Sequence, residues 1–381
     1  MNLGLSEEQA LLRSTVREFA EREVRPLARE LDETGRFPRE TFRKAAELGL
    51  TGVAFPEEAG GAGFDHVSYA IVIEEISRFC ASTGVILSVQ NSLYCEPVWR
   101  FGSDAQKEKF LVPFARGQRI GCYALTEPQA GSDAAALRTL AVRQGDRYIL
   151  NGTKAWITCG GVADAAIVYA STDPAQGEKG ITAFIVERGA PGFRVGHEEQ
   201  KLGIHATACT ELSFSDCEVP AENRLGAEGE GYKIALSTLD GGRVGIAAQA
   251  TGIAQGAFEQ ALAYAGQRQA FGHPIADLQA IQFMLADMAT EIDTARLLVR
   301  KAAWKQDTGA RFSMEASVAK LFASEMATRV THKAMQIHGA NGYSREYPLE
   351  RMYRDARITE IYEGTSEIQR LVIASWVLRN S

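Results

Sequence analysis

A carboxylate on a rigid turn just ahead of a helix makes a well-aimed proton acceptor, and Ile361-Tyr362-Glu363-Gly364-Thr365-Ser366-Glu367-Ile368-Gln369-Arg370 supplies one. Gly364 frees the backbone before a final helix that Ser366 and Gln369 are spaced to cap. Glu363 then stands at the positive end of that helix, kept ionised by the dipole until a bound apolar group desolvates it. A solvated loop glutamate would leave the same pattern. Tyr123-Ala124-Leu125-Thr126-Glu127-Pro128-Gln129-Ala130-Gly131-Ser132-Asp133 combines hydroxyls, a rigid proline and a glycine that bares backbone amides. That suits a loop around the polar edge of a planar ligand, or an ordinary interdomain turn. Trp156-Ile157-Thr158 sets an aromatic wall beside a hydroxyl near a strand end, or else contributes a core tryptophan. Arg268-Gln269-Ala270-Phe271-Gly272-His273-Pro274-Ile275, between two helices, offers a guanidinium for phosphate next to an aromatic face. The competing reading is a helix C-cap with Gly272 at C′.

Other chemistries lose support. No GxGxxG opens a helix after a strand, and no GxxxxGK[ST], GxSxG or HExxH is present. The six histidines are isolated, and the six cysteines (Cys80, Cys95, Cys122, Cys159, Cys209, Cys217) form no CxxC pair, so neither a metal site nor a disulfide framework is expected. The net charge of -7 disfavours a phosphate-coating surface, so nucleic acid is not an expected partner.

The elements that must position these residues follow from texture. At 381 residues, with 45% hydrophobic and 23% charged, the chain is long enough for two or three cores. Ser6 and Gln9 stand at capping-box spacing, and Glu8 to Asp32 reads as a helix kinked or broken at Pro26. Val67 to Phe79 reads as another, beyond the turn-rich stretch from Phe55 to Gly63. From 121 onward short β-branched and aromatic runs take over: Arg147 to Thr158, Ala165 to Ala170, Ile181 to Val186 and Glu211 to Phe214, with Asn151-Gly152 as a hairpin signal. Then Leu278, Ile281, Leu285, Met288, Ile292, Ala295 and Val299 recur at helical spacing, as do Ile246, Ala250, Ile253 and Ala257. The expected fold is α+β and multidomain: an N-terminal α-helical domain (1–120), a middle antiparallel β-barrel or sandwich domain (121–227) and a C-terminal four-helix bundle (228–381). The first residues, Met1 to Gln9, lack the basic and apolar regions of a signal peptide, and charge interrupts every apolar stretch before it could span a membrane. Bacterial cytoplasm is the expected location, or the mitochondrial matrix if the N-terminus is a processed one.

Taken together, the segments resemble the acyl-CoA dehydrogenases from end to end, most closely their short-chain (butyryl-CoA) branch. The resemblance is carried by Tyr123 to Asp133, Trp156 to Thr158, Leu239-Asp240-Gly241-Gly242-Arg243, Arg268 to Pro274, Gln336 to Tyr343, Tyr353-Arg354-Asp355-Ala356 and Ile361 to Arg370. It implies FAD, with Leu125, Thr126, Trp156, Ile157 and Thr158 at the flavin ring. Arg268, Phe271, Gln279, Gln336, Gly339, Thr365 and Glu367 would hold the dinucleotide tail. Arg268 and the Gln336 to Gly339 stretch would serve a neighbouring subunit's flavin in a homotetramer. Ser132, Asp240, Arg243 and Gly364 match positions that contact an acyl-CoA substrate, and Glu363 matches the catalytic base. Glu363 would take the α-proton while the β-hydride passes to flavin N5, giving a trans-2-enoyl-CoA. The thioester carbonyl would be held by the Glu363 N–H and a ribityl hydroxyl, and electrons would leave to an electron-transferring flavoprotein. Some relatives supply the base from the position of Gly242, which here has no side chain. Chain-length preference would depend on side chains between Leu87 and Cys95. The alternatives are a flavoenzyme of the same fold acting on a branched-chain acyl-CoA or another substrate, and a non-catalytic acyl-CoA binding relative.

Overall fold

The computed structural model describes residues 4–379; Met1, Asn2 and Leu3 of the N-terminal stretch read above lie outside them. Helix α1 (Glu7–Phe19) begins where the spacing predicts, with Ser6 Oγ accepting from Gln9 N and Gln9 Oε1 accepting from Ser6 N, both at 3.1 Å. Pro26 cannot donate to a helical ladder. The chain therefore passes through a π-helical turn (Ala20–Val24) and a 3-10 turn (Arg25–Leu27) before α2 (Ala28–Thr34). Helices α3 (Arg39–Glu47), α4 (His66–Ser77) and α5 (Ala81–Ser88) follow, then a π-helical Val89–Cys95, α6 (Glu96–Phe101), α7 (Asp104–Phe110) and α8 (Val112–Ala115). Nearly all of α4 and all of α5 are buried, and the buried Glu75 of α4 is paired with Arg17 and Arg78.

Eight strands make one sheet: β1 (Gly121–Ala124), β2 (Leu140–Gln144), β3 (Arg147–Ile157), β4 (Ala165–Ser171), β5 (Ile181–Glu187), β6 (Phe193–Glu198), β7 (Thr210–Pro220) and β8 (Arg224–Leu225). Their order is β6-β7-β3-β2-β4-β5-β8, with β1 added against β4. The pairings are antiparallel except β1–β4 and β2–β4, which are parallel. One turn expectation is corrected. Asn151-Gly152 lies inside β3, at a register shift against β7, while the β2–β3 hairpin turns at Gly145-Asp146. The glycine is there for room: a Cβ on Gly152 would fall 2.4 Å from Thr139 Oγ1.

The C-terminal region is three long helices, α9 (Gly231–Gln267), α10 (Gln279–Asp307) and α11 (Ser313–His338), followed by α12 (Ala340–Tyr343), α13 (Leu349–Ile358) and α14 (Ser366–Arg379). Ile246, Ala250, Ile253 and Ala257 on α9, and Met288, Ile292, Ala295 and Val299 on α10, are buried, while Leu278, Ile281 and Leu285 at the start of the second stripe are half-buried against that core. Helix α4 packs on both α9 and α10, so the bundle recruits a helix from the N-terminal region. The helices meet closely: a Cβ on Gly252 would lie 2.2 Å from the Glu74 carbonyl oxygen of α4.

Candidate active site

The turn between α13 and α14 is held in an unusual shape. Glu363 (φ 53°) and Gly364 (φ 91°) are successive left-handed residues, costly for the first and free for the second. The turn is tied from both sides: Ser366 N donates to Glu360 O at 2.9 Å, and Gln369 Nε2 donates to Glu363 O at 3.2 Å and Gly364 O at 2.8 Å. Lys320 of α11, fully buried, donates from Nζ to Gly364 O at 2.8 Å. The expected cap is corrected. Thr365 Oγ1 accepts from Ile368 N at 3.4 Å, whereas Ser366 Oγ is enclosed with no partner.

The turn aims the Glu363 carboxylate at α9. A Cβ on Gly242 would lie 2.1 Å from Glu363 Oε2 and 2.8 Å from Leu93 Cδ2, so the carboxylate fills the space a side chain there would need. That oxygen is enclosed and has no hydrogen-bond partner. Burial pushes the Glu363 carboxyl up to about 7, while Lys320 and Arg243 pull it back. The expectation that the helix dipole keeps this group ionised until a ligand covers it is therefore corrected: the fold itself already removes it from water. The Glu363 N–H makes no hydrogen bond to another described residue.

Of the four residues matched to acyl-CoA contact, three converge here. Gly364 is in the turn, and Arg243 and Asp240 lie on α9 beside Gly242. Arg243 is buried and pairs with Asp240 at 2.8 Å, and its Nε is left without a partner. Both line a cavity of about 1050 Å³ along the α9 face that carries Tyr232, Leu236 and Ser237. Ser132 sits apart, on the exposed 131–133 loop.

The residues matched to the flavin ring form a second group. Ala155 N donates to Thr126 O at 2.9 Å, which brings the Leu125-Thr126 backbone alongside Trp156-Ile157-Thr158. Trp156 is left-handed (φ 61°) and 55% exposed, so the alternative of a core tryptophan is set aside; Ile157 is buried and Thr158 half-buried. Beneath lies an ion pair that sequence reasoning missed: Lys154 Nζ to Glu127 Oε1 at 2.8 Å, with both side chains buried. Lys154 also donates to Leu125 O at 3.1 Å, and Glu127 accepts from Arg138 N at 2.6 Å and Thr139 N at 2.9 Å. Burial alone would raise the Glu127 carboxyl, yet the ammonium and these donors hold it well below the usual carboxylate range.

The dinucleotide set is dispersed. Arg268 and Phe271 lie on a small hairpin, β9 (Gln269–Ala270) and β10 (His273–Pro274), whose turn residues Phe271 (φ 56°) and Gly272 (φ 88°) are both left-handed. The helix C-cap alternative with Gly272 at C′ is thereby replaced by a hairpin, and Phe271 is 89% exposed. Gln279 opens α10, and Gln336 and Gly339 lie at the end of α11. At 1.5 Å per residue, Arg268 is about 40 Å along α9 from Gly242, and Gln336 about 24 Å along α11 from Lys320. Thr365 and Glu367 lie at the start of α14, next to Glu363. Among the described residues no cluster of His, Cys, Asp or Glu could hold a metal ion, and no helix is long and apolar enough to cross a membrane.

Comparison with known proteins adds an independent line. Residues 6–118, 122–217 and 229–378 match the N-terminal, middle and C-terminal domains of acyl-CoA dehydrogenase. The chain is 52% identical over 379 residues to the short-chain specific acyl-CoA dehydrogenase of Clostridium acetobutylicum, covering 100% of both chains. It is 54% identical to the mitochondrial short-chain specific acyl-CoA dehydrogenase of Rattus norvegicus, covering 100% of this chain and 92% of that one. Among solved structures, butyryl-CoA dehydrogenase from Megasphaera elsdenii superposes with a TM-score of 0.98 at 47% identity, with 100% of both chains covered. A chain from a structure described as the electron transferring flavoprotein of Acidaminococcus fermentans, on flavin-based electron bifurcation, gives 0.98 at 49% identity, again over 100% of both.

Proposed function

The chain belongs to the acyl-CoA dehydrogenase family, an FAD-dependent group of enzymes, and from that premise we propose that it desaturates a short-chain acyl-CoA to the trans-2-enoyl-CoA with Glu363 as the base. The observation that carries this reading is the enclosed, unpartnered Glu363 carboxylate over Gly242, whose neighbour Arg243 lines the cavity along α9.

The residues present suit a flavin. Trp156 offers an exposed aromatic face beside the backbone and hydroxyl groups of Thr126 and Thr158. Leu125, Thr126, Trp156, Ile157 and Thr158 would hold the ring, with Thr365 and Glu367 nearby. FAD, when bound, supplies the acceptor for the β-hydrogen and its electron pair. Arg268, Phe271, Gln279, Gln336 and Gly339 lie at the far ends of the long helices and on the hairpin between α9 and α10, away from the 363–364 turn. We assign them to the flavin of a neighbouring copy, consistent with a homotetramer.

Glu363 does the proton work. The α-hydrogen of a thioester is weakly acidic, so its removal needs a base near working pH and stabilisation of the enolate as it forms. A carboxyl raised to about 7 meets the first need. The unengaged Glu363 N–H would donate to the thioester carbonyl oxygen. As the α C–H bond breaks, the proton moves to Glu363 and the electron pair becomes the new double bond. The cationic Arg243, in the wall of the cavity, contacts the CoA portion with Asp240, Gly364 and Ser132. The acyl chain would end against Val85, Val89, Leu93 and Ile246, an apolar cluster flanked by Tyr123, Leu239 and Tyr362. Electron-transferring flavoprotein is assigned as the acceptor protein. Residues 1–120, 121–227 and 228–381 are assigned as the three domains of this chain.

The test is Glu363→Gln. The variant is expected to purify with FAD and to lose flavin bleaching by butyryl-CoA; bleaching near the wild-type rate would remove Glu363 from the role.

A further inference from the structure

Lys320 stands in the middle of α11, within Ala316-Ser317-Val318-Ala319-Lys320-Leu321-Phe322-Ala323, and is fully buried. An ammonium taken from water with only a carbonyl oxygen to receive it has lost far more hydration than that hydrogen bond restores. Replacing it with an apolar side chain of like size would serve packing as well or better. Its place is therefore better explained by what it holds.

What it holds is the Gly364 carbonyl oxygen, at 2.8 Å. The same oxygen accepts from Gln369 Nε2 at 2.8 Å, so donors from α11 and α14 converge on one peptide. That carbonyl belongs to the residue after Glu363, whose left-handed backbone is intrinsically costly and needs outside support to persist. Releasing the Gly364 carbonyl would let the turn relax, and the carboxylate would lose its fixed aim while staying enclosed.

We propose that Lys320 is a positioning residue for the base: its ammonium and the Gln369 amide together clamp the Gly364 carbonyl, and so fix the Glu363 carboxylate over Gly242 where the Lys320 charge acts on it. The proposal rests on the reading of Glu363 as the base. The charges around the carboxylate are few. Lys320 faces it from α11 and Arg243 from α9, with the phenols of Tyr69, Tyr123 and Tyr362 nearby; Glu360 and Glu367 face Lys320. Burial pulls the Lys320 ammonium down to about 8, and Glu363 pushes it back up. Without that cation the carboxyl has only Arg243 to oppose burial, so it must titrate at higher pH.

The test uses the holoenzyme and follows the limiting rate of flavin bleaching by butyryl-CoA across about pH 6 to 9. In Lys320→Met the midpoint of the rising limb is expected to move alkaline by about one unit, with a loss of roughly tenfold or more at neutral pH. FAD content should be unchanged. Gln369→Leu removes a donor without touching a charge, so it should lower the rate with the midpoint in place. A Lys320→Met enzyme with the wild-type midpoint, whether its rate is unchanged or lowered by one factor at every pH, overturns the proposal. Should Lys320→Met fail to fold, Lys320→Gln keeps a donor and removes the charge. It is expected to show the same midpoint shift with a smaller loss, and an unshifted midpoint there overturns the proposal equally. A wild-type flavin that no acyl-CoA bleaches would fail at the first step, and would overturn the proposed function rather than the clamp alone.

Discussion

The Glu363 carboxylate and the absent side chain of Gly242 share one space: a Cβ at position 242 would lie 2.1 Å from Oε2. The clash falls on the flexible end of a side chain, so Gly242→Ala should fold and displace the carboxylate. A base moved by about an ångström costs on the order of a hundredfold in rate. The variant is expected to keep its thermal midpoint, flavin and acyl-CoA affinity while its limiting rate of flavin reduction falls by about that factor. A rate within about twofold of wild type would show that the carboxylate does not act from this place.

Burial of Glu363 also makes stability depend on pH, with a definite sign. Its carboxyl goes from 4.5 to about 7 on folding, so the folded state holds the proton more tightly. The associated stability is fully present below the unfolded value and is lost as pH rises through about 7, roughly 3 kcal/mol in all. Glu363→Gln cannot ionise and escapes that loss. Its melting temperature should match wild type near pH 5 and exceed it near pH 8; equal or lower values at both would contradict the enclosed carboxylate. Turnover of the wild type should rise through about pH 7 as the base ionises.

The buried Glu127–Lys154 pair should matter for both fold and cofactor. Glu127→Gln leaves an ammonium enclosed without its counter-charge, at a cost of about 3–5 kcal/mol, and frees the Leu125-Thr126 backbone that the pair secures. Thermal melts and the flavin-to-protein absorbance ratio should both fall. Adding Lys154→Met should recover much of the stability, because no unpaired charge remains. A single variant as stable and as yellow as wild type would count against the pair as a staple.

Much of this arrangement is legible in the residues, for reasons that differ by element. Local rules act over a few residues, so the Ser6–Gln9 box, the break at Pro26 and the apolar stripes of α9 and α10 all stand where spacing puts them. The hairpin signal at Asn151-Gly152 misleads because a glycine can serve close approach as well as a turn; its neighbour Thr139 is thirteen residues away in sequence. The Phe271-Gly272 turn misleads in the other direction, resembling a helix end. Glu363 is visible through its turn and helix, but its burial is supplied by Leu93 and Gly242 from distant segments. Lys320 is hidden altogether: a lysine in a helix ordinarily reads as solvated, and only the meeting of α11 with the 363–364 turn gives it a partner. Lys154 is hidden likewise, since its partner Glu127 lies 27 residues away, in the loop after β1.

The most direct measurement is the visible spectrum of the purified protein before and after anaerobic addition of an acyl-CoA series running from butyryl to octanoyl. The expected result is a flavin spectrum that bleaches fastest and most completely with the short thioesters. A flavin spectrum unmoved by every acyl-CoA would contradict the assignment of substrate and base together.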